Sequence, residues 1–131
     1  MPQAHGQLKI TLKLTFSELR ALHYWLMEIM AHSKELVRQS LHYRIQMEIL
    51  GEVLVKKIHP KTLVDTGRPF NIKLNSVEWM AIQAAIYNGW GRFCLDLYVQ
   101  NAVRNISLNK LPKLSDYQAG YLIAPDGWEE E

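Results

Sequence analysis

Leu8, Ile10, Leu12 and Leu14 alternate with Lys9, Thr11 and Lys13 near the start of the chain. A period of two predicts a half-buried strand with one apolar and one polar face. Leu19, Leu22, Leu26, Ile29 and Met30 then recur at helical spacing, which predicts a helix over 16–31. Thr15 suits the N-cap, and Glu18 three residues on can reach back to close a capping box. His32-Ser33 reads as a break, with Ser33 capping a second helix that opens at Lys34 and runs to about residue 58, ahead of Pro60. That second helix carries one apolar stripe in Leu36, Tyr43, Met47, Leu50, Leu54 and Ile58. Leu41, Ile45, Ile49 and Val53 form another flank. Apolar residues on two flanks predict a central helix or one buried in an oligomer, and Gly51 weakens it locally.

After a linker over 59–69 containing Pro60, Gly67 and Pro69, the pattern starts again. Phe70, Ile72 and Leu74 alternate with Asn71 and Lys73, Asn75 is the cap and Glu78 its box partner. Trp79, Ile82 and Ile86 take the places of Leu19, Leu22 and Leu26. The phrase KLTFSEL at 13–19 returns as KLNSVEW at 73–79, sixty positions later, with the same face apolar in both copies. This third helix stops at Asn88-Gly89. Residues 93–106 fit either period, and the repeat favours a fourth helix. From Leu108 onward an irregular wrap is expected, with Tyr117, Tyr121, Leu122, Ile123 and Trp128 as anchors.

The fold class predicted is α+β, mainly α. It is a duplicated strand-helix-helix unit with a two-stranded antiparallel ribbon and four helices related by a pseudo-two-fold axis. Two short strands are not stable alone, so pairing them over a helical core is the simplest arrangement. One domain spans 1–131: a first repeat over about 8–58, the linker 59–69, a second repeat over about 70–107 and the wrap over 108–131.

Composition adjusts this picture only slightly. Hydrophobic residues make up 48% and charged residues 21%, which excludes a disordered chain. Net charge is +2, and the closing DGWEEE holds four carboxylates, so the remaining body is the more basic part and tolerates an anionic partner. Cys94 is the only cysteine, which rules out an internal disulfide and a cysteine-built zinc site; it reads as a core residue. MPQAHGQLKI lacks the apolar region of a secretory leader and no window is apolar enough to span a bilayer, so a cytoplasmic protein without a membrane partner is expected.

Candidate chemistry is sparse. Asp65-Thr66-Gly67 looks like the D-T-G of aspartic proteases, in which two such carboxylates share a proton. Arg68 follows where that motif continues with a small residue, and a mainly helical chain does not suit the all-β protease fold. The stretch reads more simply as a turn. Among five histidines, Glu28 and His32 stand four apart but lack a second ligand pair. Glu52 and Lys56 make a favourable surface pair. No catalytic residue, metal or cofactor is assigned, and an enzyme is not expected.

The polar faces of the two strands are the remaining constellation: Lys9, Thr11 and Lys13 from one, Asn71 and Lys73 from the other. An antiparallel ribbon with such a face fits a DNA major groove, where Lys, Thr and Asn contact base edges. LKITLKL at 8–14, LRAL at 19–22 and SKELVRQSL at 33–41 together resemble the ribbon-helix-helix family of DNA-binding repressors. The resemblance covers about residues 8–45, and the second copy through its strand and first helix. It implies that Lys9, Thr11 and Lys13 read bases, that Asn71 and Lys73 complete the ribbon within one chain, and that Ser33 and Lys34 receive a phosphate at a helix start. The expected function is thus a non-catalytic DNA-binding protein with duplex DNA as partner. The alternative is a non-catalytic interaction or assembly protein, a homo-oligomer formed through the second helix, whose strand lysines merely keep an exposed ribbon from pairing at its edges.

Overall fold

A computed structural model describes residues 9–38 and 40–112. Leu8 and the expected tail anchors Tyr117, Tyr121, Leu122, Ile123 and Trp128 lie outside them. Strands β1 (Lys9–Leu14) and β2 (Phe70–Asn75) form an antiparallel two-stranded sheet. Leu12 pairs with Ile72, Leu14 with Phe70, Ile10 with Leu74, Thr11 with Lys73, Lys13 with Asn71 and Lys9 with Asn75. Alternation does what the sequence pattern requires: Leu12, Leu14, Phe70, Ile72 and Leu74 are buried against the helices.

Each strand runs straight into a capped helix. At the head of α1 (Phe16–Ala31), the Thr15 hydroxyl accepts from the Glu18 amide at 3.1 Å. The Glu18 carboxylate accepts from the Thr15 amide at 2.9 Å. At the head of α4 (Ser76–Tyr87), Asn75 and Glu78 repeat the exchange, both bonds at 2.9 Å. Two orphan amide donors are satisfied at each start, which fixes where both helices begin.

The second helix differs from expectation. It is not one rod over 34–58 but α2 (Ser33–Val37), α3 (Leu41–Glu52) and a π-helical turn Val53–Ile58, and the chain then enters a 3₁₀ turn His59–Leu63. Ser40 causes the break: it is extended, and its hydroxyl accepts from the Tyr43 amide at 3.1 Å, capping a new helix. Ser33 is not the N-cap of the first piece. His32 holds that place without a side-chain cap bond, and its Nδ1 lies 3.0 Å from the Glu28 carbonyl oxygen. Pro60 sits in the first turn of the 3₁₀ segment, where its missing amide costs no bond. In the loop leading to β2, Asp65 Oδ1 accepts from the Gly67 amide at 2.9 Å and Gly67 has φ 76°, so Asp-Thr-Gly is an Asx turn.

Gly89, also at φ 76°, ends α4, and a 3₁₀ turn Trp90–Phe93 leads to α5 (Leu97–Lys110). The fourth helix expected over 93–106 therefore begins only at Leu97. Asp96 sets that start by accepting from the Tyr98 and Val99 amides. The helix also runs through Leu108, where the irregular wrap was expected to begin. The described chain thus has five α-helices, not four, because the second is divided.

The core sits between the sheet and the helices, with Trp25, Trp79 and Trp90 buried. Among the helices, α1 packs chiefly on α5, and α4 on α3. The central helix is α4, which buries Ser76, Trp79, Met80, Ala81, Ile82, Gln83, Ala84 and Ala85 on all sides. In the broken second helix the main stripe is inside, whereas Leu41 and Ile45 of the other flank are 68% and 51% exposed. Gly51 lies beside Met30, whose Sδ is 3.5 Å from where a Cβ would stand, so α3 and α1 approach closely there.

Candidate nucleic-acid interface

The five strand residues singled out from the sequence come together. Lys9, Thr11 and Lys13 of β1 and Asn71 and Lys73 of β2 are all exposed, and the register puts them on one face of the sheet. Thr11 stands opposite Lys73, and Lys13 opposite Asn71. Six paired residues make a face roughly 20 Å long. Among the described residues, none of the three lysine ammonium groups lies within ion-pair distance of a carboxylate.

Two lysines not foreseen from the sequence explain why. Lys57, in the π turn, donates to the Lys73 carbonyl at 2.7 Å and to Glu78 Oε1 at 2.7 Å. Lys110, at the end of α5, donates to the Lys13 carbonyl at 2.7 Å and to Glu18 Oε1 at 2.8 Å. The carboxylates nearest the ribbon in sequence, Glu18 and Glu78, are thus each matched by a cation from the other half of the chain. Burial alone would raise the Glu18 pKa. The Lys110 hydrogen bond and charge and the Thr15 bonds outweigh it and hold the carboxyl below its ordinary value. With these acids matched, no carboxylate among the described residues offsets the charge of Lys9, Lys13 and Lys73. Lys57 and Lys110 could have been suspected only from being basic residues at the ends of apolar helical stretches, since their partners are distant in sequence.

Ser33 and Lys34 are placed differently. They open α2 at the far end of α1, which at 16 residues is about 24 Å long, and the principal contacts of α2 are with α1 and α3. Lys34 is exposed and Ser33 half-buried.

Other chemistry is thin. Among the described residues no three His, Cys, Asp or Glu side chains come together as a metal site. His23 Nε2 and His59 Nδ1 are 3.0 Å apart with stacked rings. Burial, then the nearby His59 and Arg20, hold His23 below its ordinary pKa. Cys94 is fully buried, and burial pushes its thiol up, away from the thiolate a nucleophile needs. Among the described residues no helix is long and apolar enough to cross a membrane.

Compared with protein-family models, curated proteins and solved structures, the chain has no match.

Proposed function

We propose that the protein is a non-catalytic DNA-binding protein that lays the β1–β2 ribbon in the major groove of duplex DNA. The observation that carries this is the single exposed face holding Lys9, Thr11, Lys13, Asn71 and Lys73, with no carboxylate among the described residues to neutralise its lysines. Lysines supply salt-dependent attraction to phosphates, and Thr11 and Asn71 supply hydrogen bonds to base edges. Lys34, exposed at the opening of α2, is the candidate for a flanking phosphate contact beside Ser33.

The same proposal includes a duplicated, ribbon-helix-helix-like chain with a pseudo-two-fold axis through the sheet. Three features support it. Both strand–helix junctions carry the same capping box. Leu12 pairs with Ile72, which lies at the same offset of sixty positions as the repeated phrases. Lys57 and Lys110 make the same pair of bonds in opposite directions. At that offset Thr11 matches Asn71 and Lys13 matches Lys73, but Lys9 matches Pro69. The two sides of the ribbon would therefore read unequal half-sites.

An assembly role is the second reading, favoured by the exposed Leu41 and Ile45 on α3. A mobility-shift assay with mixed duplex DNA at low salt separates the two. Binding that is lost on replacing Lys9, Lys13 and Lys73 together by alanine is the expected result. No binding by the wild type, or undiminished binding by the variant, refutes the groove role. A native mass showing an oligomer that Leu41→Asp dissolves, without DNA binding, establishes assembly instead.

A further inference from the structure

At the end of α4 away from β2, the helices α1, α4 and α5 and the turn Trp90–Phe93 line a half-open cleft of about 230 Å³. Its walls divide by chemistry. Ile86 presents apolar surface above Trp25 and Val103, which are themselves buried, while Arg92, Arg104 and Gln100 bring polar groups. Among the described residues no carboxylate lines it, and neither arginine is within ion-pair distance of an Asp or Glu.

Arg92 is held in place within the wall. Its Nη1 donates to the Gly89 carbonyl at 2.8 Å, and its guanidinium lies 4.6 Å from the centre of the Phe93 ring. That ring is in turn stacked on His32 at 4.5 Å. Gly89 at φ 76° adopts a backbone that other residues rarely take, and it puts the accepting carbonyl there. Among the described residues this bond uses one of the five N–H donors of Arg92. Gln100 is anchored through its Nε2, which donates to the Cys94 carbonyl and leaves the amide oxygen free of that bond.

A guanidinium fixed before any ligand arrives, a second one on α5 and the apolar side chain of Ile86 in the same lining suit an anion with a hydrocarbon body. We propose that the cleft binds a small organic carboxylate, its carboxylate shared by Arg92 and Arg104 and its apolar part against Ile86. Guanidinium groups match a carboxylate in a planar, forked fashion. A closed apolar cavity of about 150 Å³ suffices for benzene, and the larger cleft here, open to solvent, has room for a benzene-sized body bearing a carboxylate. Inorganic phosphate, strongly hydrated and without an apolar part, leaves the wall unfilled.

Calorimetric titration of the full chain with benzoate, with no DNA present, tests this. Saturable binding is expected, weakened about tenfold in Arg104→Ala, the loss of one charge-assisted contact. Arg104→Lys, which keeps the charge, is expected to lose less. Benzamide, the neutral isostere, is expected not to bind, and inorganic phosphate to bind more weakly than benzoate. Arg104 is exposed on α5, so the variant should fold, and its melting curve without ligand checks this. Absence of saturable binding by benzoate, phenylacetate and 3-methylbutanoate overturns the proposal. So does binding indifferent to Arg104→Ala, equal binding of benzamide, or tighter binding of phosphate.

Discussion

The junction of β1 with α1 and that of β2 with α4 are built alike, while the segments beyond α1 and α4 are built differently. Both junctions turn from period-two alternation into a helix closed by a carboxylate, and both carboxylates are held by a lysine from the other half. After α1 the chain needs two helical pieces, a π turn and a 3₁₀ turn to reach β2; after α4 one 3₁₀ turn suffices before α5. The environments of the two first helices also diverge. The α1 helix keeps an exposed side with Arg20, Tyr24 and Met27, whereas α4 is buried all round over 79–85 and exposes only residues near its ends, such as Val77 and Tyr87. The shared geometry is therefore confined to the part of each half that shapes the ribbon, and the remaining elements are free to serve packing.

The sharpest way to break this likeness is at its centre. Leu12 and Ile72 face one another and are each 1% exposed. Leu12→Ala and Ile72→Ala should each cost about 2–5 kcal/mol in urea unfolding. Losses of similar size support equal roles for the strands; a near-neutral result at one position breaks the equivalence.

The lysine bridges come next. Lys57→Met should cost about 1–2 kcal/mol, because it leaves the Glu78 charge with only its cap bond from Asn75 and removes the donor to the Lys73 carbonyl. Lys110→Met should cost less, about 1 kcal/mol or below, since Glu18 is 30% exposed against 16% for Glu78 and water screens it more. The reverse order would show that exposure does not set the difference.

The smallest effect is in acid. Folded Glu18 titrates below its ordinary value of 4.5, so its contribution is fully present above about that pH and is lost as pH falls through the lowered value. Glu18→Gln should flatten the stability–pH curve in that window and leave the neutral-pH slope unchanged. An unaltered acid limb would show that Glu18 adds nothing to the pH dependence.

How much of the molecule is legible in its sequence depends on the range of each interaction. The strands, the two capping boxes and the polar face are readable because alternation and caps act within a few residues. The helix over 16–31 is readable for the same reason. The break at Ser40 is not, because Ser33 and Ser40 are equally good caps on paper and packing decides between them. The start of α5 is hidden by a stretch fitting two periods, although Asp96 is a cap signal in plain view. Lys57 and Lys110 are illegible because their partners lie 21 and 92 residues away in sequence. The cleft lined by Arg92 and Arg104 is illegible too, since a turn residue and a helix residue come to line one cleft only after α1 and α4 have packed.

In the proposed complex the ribbon face meets phosphates through Lys9, Lys13 and Lys73. The salt dependence of duplex binding, followed by fluorescence anisotropy, tests it most directly. If each lysine neutralises one phosphate, replacing all three by alanine should make the slope of log affinity against log salt shallower by about 2.7. An unchanged slope in the folded triple variant would contradict the claim.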